Sequence, residues 1–436
     1  MDPVSLNRVE LISGAWFGDR TIKLDFPSNW KVTVIGGKTI PPLTYDQIKE
    51  KINNPEGTPG LAITGQKRTR AAIIIDDITR PTPTHMILPF ILEELKNAGL
   101  DKESIIIIIA SGTHRQASKE DIQKKIGVAL TSKIKVICHD CRKDLVYLGK
   151  SSNGTPIYVN KAVMECDLKI GVGCIYPHPV AGFSGGSKII MPGIVGIETA
   201  RYMHENLRGA YQRGGSLDTE LRQEIEEVAA RVGLDFIINV VLNQEREIAG
   251  LFAGDKIMAF RHGVEFASAT YSVVPIDDAD IIISDMYPFD TSLQFVHDRG
   301  FWPLMDDNKN SQKIAIAACP MGLGTHGLTS LSTSIWSRFG HRIKYFKVKY
   351  IYHFISRINN FMKYLKLKRL DFFIISNGIT TKELERIFPR SKLFSTWDAF
   401  LEDLDSLSKN LPLKVVIYKC SPLLLPIHKG EKNNQV

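Results

Sequence analysis

The chain has 436 residues, 44% hydrophobic and 23% charged, an ordinary balance for a globular protein and long enough for two separate cores. No apolar run reaches the ~18 residues of a spanning helix, and the start MDPVSLNRVELISG lacks the basic-then-apolar pattern of a signal peptide, so a membrane span is not expected. The net charge of +8 is concentrated in residues 336–370, which hold ten Lys or Arg and no Asp or Glu; the rest is near neutral, so no nucleic-acid partner is expected from charge.

The first strong element is AAIII (71–75), a short β-branched run that reads as a buried strand. DDITRPTP follows, where Pro81 and Pro83 stop regular pairing. In THMILPFILEELKNAGL, Leu88, Ile91, Leu92, Leu95 and Ala98 recur at helical spacing, and Gly99 suits the stop. SIIIIIAS (104–111) is a second buried strand, so the three elements form a βαβ unit with parallel strands. DLKIGVGC (167–174) predicts a third strand that runs into the loop HPVAGFSGGSKIIMPG (178–193). GIETARYMHENL (196–207) reads as a helix, LDTELRQEIEEVAARVG as an amphipathic helix ended by Gly233, and DFIINVVLN as a further strand. A second α/β series begins near Ser272, with strands at ADIIISD, KIAIAAC, FFIISN and LKVVIYK. The expected fold class is therefore α/β: two α/β domains with mainly parallel sheets and a cleft between them. Residues 1–272 would form the cofactor-binding and catalytic domain. Residues 273–436 would complete the substrate site and carry the basic insertion 336–370. Six scattered cysteines suit a reducing cytoplasm better than a disulfide framework.

Three loops carry the chemistry. DDITR, SGTHR and YPHPVAGFSGGSK leave the ends of three successive buried strands. In a parallel sheet these ends share the carboxyl edge, where open α/β sheets bind ligands. Asp77, Arg80, His114, Arg115, His178 and Lys188 are thus expected to converge. Pro177 and Pro179 fix the backbone on both sides of His178. The glycine loop is not a Walker A loop, because Ser187 precedes Lys188 and Ile189 follows it, and its spacing is not G-x-G-x-x-G. Gly182, Gly185 and Gly186 still let backbone N–H groups approach an anion or adopt positive φ. A phosphate-bearing ligand other than a standard triphosphate fits, with Lys188 either its counterion or an amine that bonds covalently to a cofactor.

DDITRPTP, SGTHR, HPVAGFSGGSKIIMPG and the following His204 resemble the nickel-dependent lactate racemases and their 2-hydroxyacid racemase and epimerase relatives, over most of the first domain. The resemblance implies an isomerase with a nickel pincer nucleotide, pyridinium-3,5-bisthiocarboxylic acid mononucleotide, attached covalently at Lys188 as a thioamide. It implies room for the nucleotide at Gly185 and Gly186, and nickel ligation by His204. It makes His114 and His178 an acid–base pair, with Arg80 holding the substrate carboxylate in a bidentate contact and Asp77 orienting the cofactor or supporting Arg80. The reaction it implies removes hydride from the α-carbon to give a planar 2-keto acid and returns it to the other face. Cofactor-synthesis enzymes would be partners, and the small-molecule partner would be a 2-hydroxyacid.

DMYPFDTSLQFVHD (285–298) resembles the family's substrate-facing element, and Gln294 fits it. The lysine of the lactate enzymes three residues after the glutamine is here His297, and the tyrosine before it is Leu293. A larger or more polar 2-hydroxyacid than lactate is the expected substrate. Two other functions compete. A dehydrogenase using dissociable NAD lacks its Rossmann fingerprint here; a catalytically inactive anion-binding relative is opposed by the retention of His114, His178, Lys188 and His204. CHDC (138–141) is a single cysteine pair, short of the about four ligands of a structural zinc, and reads as incidental. His326, in the glycine-rich turn PMGLGTHGL, reads as a loop histidine. The basic segment reads by default as helix with a solvated basic side; an anionic-membrane or nucleic-acid surface, a cleft cap and an oligomer contact are its alternatives.

Overall fold

The computed structural model describes residues 8–210, 213–305, 311–324, 371–404 and 410–427. The basic segment 336–370 and His326 lie outside the described residues. The chain divides into two compact units, Gly37–Val273 with Leu423–Val436, and Met1–Gly36 with Val274–Pro422.

The first unit is built on a six-stranded sheet ordered Ile248–Gly254, Phe236–Leu242, Leu168–Cys174, Ala71–Asp76, Ile105–Ala110, Lys135–Cys138. Its pairings are parallel except for Ile248–Gly254, which runs antiparallel to its neighbour. Every residue of Ala71–Asp76, Ile105–Ala110, Leu168–Cys174 and Phe236–Leu242 is buried. That is why these strands read as unbroken apolar runs: both faces of the sheet are covered. Each buried isoleucine or valine contributes about 1.5–3 kcal/mol of transfer free energy. The helix Glu220–Val232 is set by the Thr219 hydroxyl, which accepts from Arg222 N, and is stopped by Gly233 at φ 78°. Lys135–Cys138 and Ile248–Gly254 escape the sequence reading. KVIC is short and partly exposed, and IAGLFAG spends two of its positions on glycine.

The chain order places a switch point in this sheet. From Ala71–Asp76 the chain moves outward to Ile105–Ala110 and Lys135–Cys138. It then returns to Leu168–Cys174 on the opposite flank of Ala71–Asp76. Loops leaving the carboxyl ends of those two strands diverge, and open α/β sheets bind ligands in the resulting crevice.

The second unit holds a six-stranded parallel sheet ordered Lys392–Phe394, Phe373–Ile375, Gln312–Ile316, Ile281–Asp285, Lys414–Tyr418, Lys31–Ile35. This corrects the expected domain 1–272. Lys31–Ile35 pairs from Lys31↔Lys414 to Ile35↔Tyr418, and Val9, Leu11, Trp30 and Val32 pack in one core with Ile281, Ile283 and Val415. The pairing joins residues almost 400 positions apart, and an edge strand with only one fully buried residue carries no strong local signal. The boundary at 273–436 shifts at its far end too, because Leu425–Pro426 pairs with Ser272–Val273 in the first unit. Among the described residues no helix is long and apolar enough to cross a membrane.

Candidate active site

The strand Ala71–Asp76 delivers Asp76 and Asp77 to the crevice, and a buried lysine fixes the loop beyond them. Lys125, on the helix Lys119–Ile126, is 1% exposed and donates from Nζ to Asp76 Oδ1 (2.5 Å), Arg80 O (3.1 Å) and Thr82 O (3.0 Å). Thr82 Oγ1 donates to the other oxygen of Asp76. Three donors on three acceptors satisfy the ammonium, and the loop 76–82 is thereby closed into one shape. Burial pushes the Lys125 amine down and the Asp76 carboxyl up, each opposed by the other's charge. Sequence reasoning missed Lys125: in KEDIQKKI it is one of three lysines on a short helix, with nothing local to mark it as buried.

Asp77 is thereby aimed at His114. Its Oδ2 lies 2.7 Å from His114 Nδ1, and its Oδ1 accepts from Thr79 N (3.1 Å) and Thr79 Oγ1 (2.5 Å). Burial alone would raise the Asp77 carboxyl. The charge and hydrogen bond of His114, the Arg80 guanidinium and the Thr79 hydroxyl outweigh it and hold the carboxyl well below the usual range. An ionised Asp77 only accepts, so the proton of the bond sits on His114 Nδ1, and in the neutral ring the lone pair is on Nε2. Arg115, expected to join this group, is instead paired with Asp121 at 2.7 Å on the following helix.

His178 sits on the other side of the switch point, in the short hairpin Pro177–His178 with Gly182–Phe183. It is 8% exposed, and its Nδ1 accepts from Val180 N and Ala181 N, both at 3.1 Å. The hairpin is itself held. Arg222 donates from Nη2 to Ala181 O (3.0 Å) and Phe183 O (2.5 Å) and lies 4.6 Å over the Phe260 ring. Ala210 N donates to Val180 O at 2.7 Å. Stripping the two amides of their acceptor would cost about 1–3 kcal/mol for each donor left buried.

Lys188 follows on the short 3-10 turn Gly186–Ile189. The glycines before it pack closely against the protein's own interior. A Cβ on Gly185 would lie 2.7 Å from Ile175 Cγ1 and 3.0 Å from Asn239 Oδ1, and one on Gly186 would lie 2.8 Å from Phe260 Cγ. Their φ angles are +89° and +58°, and Gly186 N donates to Asn239 Oδ1 at 2.6 Å. They let the loop turn and press onto its own sheet, which sets the course of the chain into Lys188. His204 belongs to the helix Ile197–Asn206. Burial among surrounding atoms and then the Lys188 ammonium lower it to about 4. The side chain itself is exposed to solvent, so hydration blunts the burial contribution and the neighbouring Lys188 charge is the firmer cause. Both favour a neutral imidazole, the form that ligates metal. Among the described residues no three His, Cys, Asp or Glu side chains converge into a metal cage.

Gln294 and His297 lie in the other unit, on the helix Leu293–Gly300. The structure ties both to Asp298, which sequence reasoning passed over. Gln294 Nε2 donates to Asp298 Oδ2 at 2.8 Å, and His297 Nδ1 lies 2.9 Å from Asp298 Oδ1. Burial opposes ionisation of Asp298, but the hydrogen bond and charge of His297, then Gln294 and Arg299, prevail and hold it at about 2. The His297 ring also rests edge-on against Phe301, with centroids 5.6 Å apart.

The CHDC segment turns out to be structural. Its cysteines are free thiols, and His139 is fully buried with Nε2 3.0 Å from Val195 O and Nδ1 3.2 Å from Asn160 Nδ2. Burial, partly offset by the Val195 bond, lowers it from 6.5 to about 4. A histidine with a depressed folded pKa stabilises fully above its unfolded value and loses that contribution as pH falls towards the folded one. Acidification from neutral to about pH 4.5 is therefore expected to cost about 2–3 kcal/mol at this residue. Denaturant unfolding across that range measures it, and His139→Gln should flatten the slope; an unchanged slope in that variant would assign the acid loss elsewhere.

Asp77, Arg80, His114, His178 and Lys188 thus lie on loops that leave the carboxyl ends of strands around the switch point, the edge where open α/β sheets bind ligands. Residues 17–214 match the model of the lactate racemase N-terminal domain. The lactate racemase of Thermoanaerobacterium thermosaccharolyticum is 33% identical over 257 residues, covering 57% of this chain and 59% of that protein. That of Lactiplantibacillus plantarum is 33% identical over 255 residues, covering 57% and 60%. The match thus spans about three fifths of those relatives' own length. The solved lactate racemase apoprotein from T. thermosaccharolyticum matches with a TM-score of 0.71 at 22% identity, covering 96% of this chain and 100% of that one. A protein from Thermotoga maritima matches with a TM-score of 0.62 at 18% identity, covering 90% and 100%. At these identities the structural matches establish the fold.

Proposed function

We propose that the protein is a racemase or epimerase of a 2-hydroxyacid that works with a lysine-tethered nickel pincer nucleotide. The observation that carries this reading is the His114–Asp77 pair at the switch point, with His178 held on the facing strand's hairpin. Such an arrangement suits moving a proton on and off a substrate oxygen near neutral pH. Arg80 would hold the substrate carboxylate, since a planar guanidinium grips a carboxylate through two parallel bonds.

The residues present fit the cofactor. Lys188 offers the amine for the tether, and the Ser187 hydroxyl beside it is buried with no hydrogen-bond partner among the described residues. His204, on the helix Ile197–Asn206, would supply an imidazole donor to nickel. A single protein ligand is coherent only where the metal draws its other donors from the tethered group. When bound, the group would accept and return the α-hydride. The protein's own part is to fix the carboxylate at Arg80 and to move the hydroxyl proton at the histidines.

His204→Ala should therefore bind far less nickel while Lys188 still carries its adduct, read by metal analysis and peptide mass. Full nickel content in that variant would remove His204 as ligand. Substrate choice turns on Leu293 and His297. An imidazole tied to Asp298 supplies no long, fixed cation, so Arg80 would be the main anchor, and selectivity for lactate should be weak. His297→Lys is expected to raise lactate turnover relative to larger acids, and only partly, because the new ammonium would pair with Asp298. Unchanged preference in His297→Lys would show that this position does not set specificity.

A further inference from the structure

We propose that Arg222 is a positioning residue for the reaction: its buried guanidinium sets the hairpin that carries His178 against the turn that carries Lys188. This rests on the proposed racemase function and extends it to a side chain on the helix Glu220–Val232.

Three segments meet at this side chain. Arg222 lies in the first turn of its helix, where the Thr219 hydroxyl accepts from its backbone N at 3.1 Å. Its Nη2 donates to Ala181 O (3.0 Å) and Phe183 O (2.5 Å), on the hairpin that pairs His178 with Gly182. Its Cζ stands 4.6 Å over the ring of Phe260, on the helix Met258–Tyr271. Gly186 of the Lys188 turn presses on that same ring, since a Cβ there would lie 2.8 Å from Phe260 Cγ. The hairpin and the turn are thus spaced by one guanidinium and one ring.

A stability role accounts poorly for this arrangement. Arg222 is 2% exposed, and its Nε and Nη1 have no hydrogen-bond partner among the described residues. Burial brings the guanidinium down to about 10, opposed by Glu226 one turn further on, so it is still a cation at neutral pH. A buried cation left half-satisfied opposes folding, and an apolar side chain of similar length would fill the space without that penalty. Nor is Arg222 needed to form the hairpin. Its strands pair directly, and Ala210 N and Gly214 N donate to Val180 O (2.7 Å) and Gly182 O (3.1 Å) from a separate segment. What Arg222 adds is a fixed distance from the hairpin to Phe260.

The other working parts have supports of their own. Gly186 N donates to Asn239 Oδ1 at 2.6 Å, which holds the Lys188 turn, and Lys125 Nζ donates to Arg80 O at 3.1 Å. Loss of Arg222 should therefore displace His178 and leave the tether and the carboxylate anchor in place. Misaligned reacting groups with substrate binding kept is a loss in kcat that spares KM.

The test compares Arg222→Met and Arg222→Lys with the parent. In holo-protein, Arg222→Met should lower kcat by about tenfold or more with KM within about threefold, while peptide mass shows the Lys188 adduct at the parental level. Arg222→Lys keeps a cation that can donate to the same carbonyls, so its kcat should lie between the two, and it carries the comparison if Arg222→Met does not fold. The second arm is a proton–nitrogen spectrum of cofactor-free protein with isotope-labelled histidine, assigned with His178→Gln. The His178 ring signals should move in Arg222→Met, and those of His114 and His139 should stay in place. A kcat within about twofold of the parent, a KM raised as much as kcat is lowered, or unmoved His178 signals would overturn the proposal. The spectrum decides the placing of His178 even where the holo-protein inverts no 2-hydroxyacid, which separates failure of this assignment from failure of the proposed function.

Discussion

Replacing His114 by alanine should lower kcat/KM by about 100-fold or more, the usual scale for a positioned acid–base group. The loss should be the same starting from either enantiomer. Enantiomers have equal free energy in an achiral solvent, so the equilibrium constant of racemisation is one, and no substitution can change the ratio of the two kcat/KM values. A variant that slows one direction only would show that the measured reaction is not a racemisation. Asp77→Asn should follow His114→Ala in part. The amide would no longer hold Nδ1–H or stabilise the imidazolium, although Thr79 and the loop would still place the side chain. Chiral chromatography from each pure enantiomer measures both variants, and a His114→Ala enzyme within threefold or so of the parent would remove His114 from proton transfer.

Lys188→Ala should abolish activity outright, because it deletes an attachment point. Lys188→Arg should do the same, since a guanidinium keeps the charge but offers no amine of comparable nucleophilicity. That pair separates the two readings of Lys188 left open by its sequence: a counterion would tolerate arginine, and a tether would not. Peptide mass of protein produced beside the cofactor-synthesis enzymes should show an adduct on Lys188 in the parent and none in either variant. Substantial activity in Lys188→Arg would leave the lysine as a counterion. Neither substitution should unfold the turn, because its course is set by Gly185, Gly186 and Asn239.

Much of this site is legible in the sequence because parallel-sheet topology is unforgiving. Once AAIII, IIIII and DLKIGVGC are recognised as strands buried on both faces, their following loops must share one edge, and the distant Asp77, His114 and His178 are brought to it. Spacing alone cannot show what lies beneath. Lys125 is buried only because the helix carrying it folds back under the loop 76–82, and a lysine in KEDIQKKI looks like any solvated one. The tautomer of His178 depends on two amides two and three residues further on, turned inward by a hairpin that no local pattern announces. Glycine serves anion approach and tight self-packing alike, so the close packing of Gly185 and Gly186 against Ile175, Asn239 and Phe260 leaves no mark of its own in the sequence. The placement of Lys31–Ile35 in the second sheet is a long-range pairing, beyond any window of neighbouring residues. Asp298 adjoins His297, but neighbours on a helix do not ordinarily face each other, so its hold on the ring is not legible from adjacency.

The central claim is tested most directly by incubating nickel-loaded protein, with the Lys188 adduct verified, with single enantiomers of a panel of 2-hydroxyacids and resolving the products by chiral chromatography. The account predicts that at least one acid is converted to an equal mixture from either enantiomer, without added nicotinamide cofactor, and that an acid larger or more polar than lactate has the highest kcat/KM. Retention of configuration across the panel by protein that carries both nickel and adduct would contradict it.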